Sequence, residues 1–173
     1  VCWRCKSEIV FRLVPAWYIK TAEIKPKLIE CANSVKWEPA SNGKRMNDWL
    51  TNMGDWNISR KRYYGMPLPF YPCDCGHITV IGSKDELREK AVDPAQVDAL
   101  PELHRPWVDE VKIKCPHCGK EVSRVPDIGD VWLDAGIVPF STLGYFTDRE
   151  AWEKNFPAEW VTEMHEQVRL WFY

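Results

Sequence analysis

Asp55–Tyr71 reads DWNISRKRYYGMPLPFY: three consecutive cations, Arg60, Lys61 and Arg62, follow Ser59, precede Tyr63 and Tyr64, and lead into Pro67 and Pro69. Cations beside aromatic rings are the composition of a surface that holds single-stranded nucleic acid, with phosphates on the charges and bases on the rings. The same residues also read as a solvated helical turn capped by Ser59. The stretch alone leaves both readings open, and what decides between them lies outside it.

The chain of 173 residues is long enough for one ordinary core. Its net charge of −2 excludes a uniformly basic, nucleic-acid-coating protein, so any such contact must use a local patch. Ten Trp and thirteen Pro point to flat contact surfaces and fixed turns rather than long helices. The longest apolar run, Leu13 to Ile19, is interrupted by Pro15 and falls short of the roughly 20 residues of a membrane span. A soluble chain with no membrane partner is expected. Its first residues, VCWRCKSE, carry neither an initiator Met nor a signal sequence, and a start inside a larger protein is expected.

Seven cysteines include Cys2-x2-Cys5, Cys73-x-Cys75 and Cys115-x2-Cys118. Without a secretion signal, this pattern favours metal ligation in a reducing compartment, hence a cytoplasmic location. Gly76 and Gly119 directly follow the last two pairs, as a metal knuckle needs if backbone N–H groups are to turn towards the sulfurs. Cys73, Cys75, Cys115 and Cys118 can close a tetrahedral Zn²⁺ site, with His77 or His117 as substitutes. Such a site has no open position and would staple the segment between 73 and 118 rather than catalyse. The alternative is a set of reduced, unligated thiols. Cys2 and Cys5 form a second half-site, completed by cysteines outside this chain or idle. Cys31 reads as a small core residue, since no His and Asp accompany it as a nucleophile would require.

EIVFRLVPAWYIK is β-prone and broken at Pro15, while TAEIKPKLIECANSV has helical spacing at Ile24, Leu28, Ile29 and Ala32. SNGK reads as a turn before a short helix ending near Gly54. Ser83 with Glu86, and Thr147 with Glu150, have capping-box spacing and predict helices after each. The proline-rich 93–110 reads as a surface connector, and β-prone segments flank CPHCG. In DIGDVWLDAG, a strand would put Asp130, Trp132 and Asp134 on one face, lining a polar pocket or ending the strand in solvent. In EMHEQVRLWF, a helix would bring together Glu163, Glu166 or Gln167, and Trp171.

Four segments in this order resemble one family. CWRCKSEIVFRLVPAWYI, WLTNMGDWNISRKRYYGMPLPFY, DIGDVWLDAGIVPF and FPAEWVTEMHEQVRLWFY are similar to the region after the inserted editing domain of class I aminoacyl-tRNA synthetases of the isoleucine, valine and leucine branch. FPAEW with Glu163, Gln167, Arg169 and WFY resembles the isoleucyl members most; PFSTLGY resembles the valyl ones.

The resemblance implies an α/β fold: part of a Rossmann-type catalytic domain with an inserted zinc-ribbon-like four-cysteine module. It implies a catalytic segment at 1–72, a zinc-stapled insertion at 73–126 and a return to the catalytic domain at 127–173. The implied parent enzyme, a monomer, joins a branched-chain amino acid to tRNA using ATP and Mg²⁺. Trp132 and Trp171 would wall the amino-acid pocket; Glu163, Glu166 and Gln167 would meet the adenylate; Ser59, Arg60 and Arg62 would meet the tRNA end or the fold's own carboxylates. Where the family has Gly, Asp and Gly, this chain has Met164, Glu166 and Leu170. No catalytic residue is expected in it, because the His-Ile-Gly-His and Lys-Met-Ser-Lys-Ser signatures that stabilise phosphate charge are absent. The chain alone is expected to be inactive.

Overall fold

Ser59 and Arg60 pair antiparallel with Gly129 and Ile128, and this two-residue ladder joins chain segments some seventy positions apart. A computed structural model describes residues 1–173. Before the ladder come β1 (Tyr18–Ile19), α1 (Lys25–Ser34), α2 (Ser41–Asn52) and β2 (Trp56–Asn57). The ladder strands are β3 (Ser59–Arg60) and β8 (Ile128–Gly129). Between them lie β4 (Phe70–Pro72), β5 (Ile78–Val80), α3 (Lys84–Lys90), α4 (Pro94–Asp98), β6 (Lys112–Lys114) and β7 (Glu121–Ser123). After them come α5 (Val131–Gly136), α6 (Val138–Ser141) and α7 (Arg149–Asn155).

The fold is mixed helix and strand, and its sheets are four antiparallel pairs: β1–β2, β3–β8, β4–β5 and β6–β7. No parallel pair forms; β4–β5 and β6–β7 are joined by short turns, and the helices between β1 and β2 and between β3 and β8 return the chain antiparallel.

Two cores form. One of eleven buried residues, including Tyr71, Leu87, Val97, Val111 and Ile113, fills the space between the hairpins β4–β5 and β6–β7 and helices α3 and α4. The other joins Ala32 on α1 and Met46 and Leu50 on α2 to Val168 near the C-terminus. Pro26 sits in the first turn of α1, where its missing N–H is harmless, and Ala32 marks the buried face.

Several expectations change. Ser59 caps no helix; it is a buried strand residue whose hydroxyl accepts a 2.9 Å hydrogen bond from the Trp17 amide. Cys31 is exposed, one position off the face that Ala32 buries. The run before Pro15 forms no strand, since nothing pairs with it; Phe11 and Leu13 are fully exposed. SNGK is the start of α2. The 93–110 connector contains α4, capped by Asp93, and a 3-10 turn at Trp107–Glu110, which bury Val97 and Val108. Ser83 caps α3 as expected, although Glu86 receives the N–H of Gly82 rather than that of Ser83. Asp148, not Thr147, caps α7. After Gly129 the chain is helical: Asp130 caps α5 through the Trp132 amide, so Asp130, Trp132 and Asp134 do not alternate along a strand. The end holds a 3-10 turn at His165–Arg169 and no α-helix.

Candidate functional site

Two features concentrate chemistry, a thiol cluster and a cleft. The cluster is built where the β4–β5 turn meets the β6–β7 turn. Gly76 at φ 87° and Gly119 at φ 75° turn each knuckle, a conformation that strains residues with a Cβ. The Sγ atoms of Cys73, Cys75, Cys115 and Cys118 lie within 4.8 Å of one another, with Cys73–Cys118 at 3.5 Å and Cys75–Cys115 at 3.7 Å. Four thiolates on one tetrahedral ion with bonds near 2.3 Å stand about 3.8 Å apart, so the cluster fits a metal.

Its protonation also fits a cation-binding site. Burial pushes the Cys115 thiol up, but the N–H groups of Cys118 and His117 outweigh it and bring the thiol down to about 7. The His77 amide lowers Cys75, but the neighbouring thiols and burial push it up to about 12. Four sulfurs so close cannot all ionise unaided, and a divalent cation removes that obstacle. His77 and His117 stack on each other beside the cluster at 6.1 Å between ring centroids.

The cleft, about 750 Å³, opens between the end of α2, the 62–66 loop, α5 and the C-terminal residues. Trp49, Trp56, Trp132 and Tyr173 give it aromatic walls, and Arg62 and Arg169 give it positive charge. At its floor Arg60 pairs with buried Asp130, whose second oxygen accepts from the Trp132 amide at 2.9 Å. Arg60 also donates to the Asn57 carbonyl at 2.9 Å, so the fold consumes its charge. With Asp134 set against Arg62 and Arg169, the lining keeps one positive charge in excess, and flat walls with that excess suit an anionic ligand carrying a planar ring.

The family model for class I tRNA synthetases (I, L, M and V) matches residues 4–173. The chain belongs to this family. It is 43% identical to the isoleucine–tRNA ligase of Methanopyrus kandleri over 187 aligned positions, covering 99% of this chain and 17% of that protein. It is 41% identical to that of Clostridium novyi, covering 99% of this chain and 16% of that protein. Against that of Saccharolobus solfataricus it is 40% identical, covering 100% and 17%. The chain thus spans about a sixth of the length of the curated relatives it matches. A solved ternary complex, LeuRS-tRNA-LeuAMS from Agrobacterium radiobacter K84, is 20% identical over 68% of this chain and 16% of that one, at a TM-score of 0.33.

Within the synthetase chain, the four module cysteines come together, whereas Cys2 and Cys5 stand apart near the N-terminus with only each other and Ser7. The Ser7 hydroxyl, at 2.8 Å, and the Ser7 backbone bring Cys5 down to about 7. Of the predicted pocket residues Trp132 lines the cleft; Trp171 instead donates its indole N–H to the Ala135 carbonyl at 3.0 Å. Gln167 accepts from the Trp171 amide at 3.1 Å, and Glu163 and Glu166 are exposed. Of the opening stretch, Arg60 meets a carboxylate of the fold and Arg62 lines the cleft. Sequence reasoning missed Trp49, Trp56 and Tyr173, which no local pattern marks, and Arg105, Asp109 and Arg124. An arginine within the β-prone EVSRV was a visible signal for Arg124.

Proposed function

We propose that this chain is part of an isoleucine–tRNA ligase, an enzyme that activates isoleucine with ATP and Mg²⁺ and transfers it to tRNA in the cytoplasm. What carries the reading is the match along the whole chain, at 40–43% identity, to proteins with that activity. An independent RNA-binding module is not favoured, because a match of this extent includes DVWLDAG and EMHEQVRLWFY, for which such a module has no use.

In this reading residues 1–72 and 127–173 belong to the Rossmann-type catalytic domain and residues 73–126 form its zinc-stapled insertion. Zn²⁺ on Cys73, Cys75, Cys115 and Cys118 would hold the two hairpin turns together and do no chemistry, since four thiolates leave no open position. Trp132 and Trp171 would wall the side-chain pocket, Trp132 from the cleft lining itself and Trp171 through its bond to Ala135 on the helix that carries Trp132. Glu163, Glu166 and Gln167 face the adenylate. Arg62 and Arg169 attract phosphate, and Ser59 and Arg60 are structural. Cys2 and Cys5 form half of a second metal site.

An apolar pocket distinguishes side chains one methylene apart by only about 1–3 kcal/mol. Isoleucine-dependent pyrophosphate exchange by the full-length protein therefore tests the proposal, with a preference for isoleucine over valine of the order that limit allows. Exchange that ignores isoleucine, valine and leucine alike overturns it.

A further inference from the structure

Arg124 is the one buried cation of the chain, with its side chain 1% exposed. A guanidinium taken out of water must find a partner for every N–H. Here Nη1 donates to the carbonyls of Leu68 and Asp127, each at 2.9 Å, while Nε and Nη2 donate to Asp109. The other oxygen of Asp109 accepts from Arg105 Nε at 2.6 Å. Burial raises the Asp109 pKa, but the two guanidiniums outweigh that effect and hold it below the usual carboxylate range.

Arg105 then crosses to the opening stretch. Its Nη1 donates to the Arg62 carbonyl at 3.1 Å and its guanidinium lies 5.2 Å from the Tyr63 ring centre. The adjacent His104 stacks on Tyr64 with ring centroids 6.2 Å apart and planes 16° from parallel. Arg62, Tyr63 and Tyr64 are thus each contacted from the four-cysteine module, with Tyr63 and Tyr64 left 60% and 85% exposed, and Arg62 and Tyr64 line the cleft. Apolar replacements of a buried ionic cluster are often neutral or stabilising, so stability alone is a weak reason for this arrangement.

Resting on the synthetase reading, we propose that Arg105 is a positioning residue: through Asp109 and Arg124 it ties the four-cysteine module to the 62–64 loop and sets where Arg62 and Tyr64 stand in the cleft. Zinc in the module would act on the reaction only by holding this strap.

Arg105→Ala leaves the Asp109–Arg124 pair and the thiols in place. In the full-length protein it is expected to lower kcat for isoleucine-dependent exchange about tenfold, since small misplacements at a reacting centre have effects of that order or larger. The isoleucine KM, zinc content and Tm are expected to stay near the parent values, and the kcat loss is expected to shrink in an Arg62→Ala background. An unchanged kcat, or a loss fully additive with Arg62→Ala, overturns the proposal. Amide hydrogen exchange of the same variant answers independently of activity: faster exchange at residues 62–66 with residues 112–123 unchanged supports the strap, and unchanged exchange at 62–66 refutes it. Absence of isoleucine-dependent exchange in the parent protein would instead refute the functional reading.

Discussion

The four-cysteine module and the arm after Asp130 have comparable stocks of apolar residues and handle them in opposite ways. In the module, two hairpins and two helices enclose eleven buried residues. In the arm from Ile137 to Trp160, Trp152 alone is buried; Phe140, Tyr145 and Phe156 gather round it, while Phe146 is 93% and Trp160 80% exposed. Within these residues, apolar content alone does not close a core. A core needs paired elements to close over it; the hairpins β4–β5 and β6–β7 provide them, and the four thiols stand where their turns meet.

The sharpest way to break this contrast is to remove the clasp. Chelation, or Cys115→Ala, is expected to unfold the module and abolish binding of one equivalent of zinc, because the binding energy of a structural site is folding energy. A melting curve and metal content unchanged by chelation would show that the core suffices without metal.

Trp152→Ala tests the other side. It is expected to destabilise by about 3 kcal/mol, the order for truncating a large buried ring. Hydrogen exchange should accelerate through α6 and α7 and stay slow at Val111 and Ile113; acceleration in both regions would mean that they share one cooperative core.

Acid acts on the strap that links the module to the cleft. The folded-state pKa of Asp109 is depressed, so its contribution is complete above the unfolded value of about 3.9 and is lost as pH falls through the folded value. Urea unfolding of Asp109→Asn should therefore show a deficit at neutral pH that narrows below that range. A deficit independent of pH would mean that Asp109 acts by shape and not by charge.

The smallest expected effect is at the module's edge: Ser83→Ala removes one hydrogen bond at the start of α3 and should cost about 1 kcal/mol in urea unfolding.

What was legible follows the range of each interaction. The glycines that turn each thiol pair and Pro26 in the first turn of α1 are local features, and the structure has both. Ser59 before three cations has the look of a helix cap, but its hydroxyl serves Trp17, forty-two positions away. Val131, Trp132 and Leu133 favour a strand, yet Asp130 captures the Trp132 amide and starts α5. The cleft walls come from Trp49, Trp56, Trp132 and Tyr173, four places that only the folded chain brings together. The order of the four family segments was legible where the geometry was not.

The ladder of Ser59 and Arg60 with Ile128 and Gly129 has a consequence for the length of chain between them. The chain leaves towards the four cysteines from one strand and returns on its immediate neighbour, so the ladder fixes where the excursion begins and ends, while the Arg105 contacts to residues 62 and 63 couple its content to the cleft. Doubling a flexible loop adds only about 0.6 kcal/mol of closure entropy. A ladder of this kind leaves room for the segment between its strands to change in length while the two strands stay where they are.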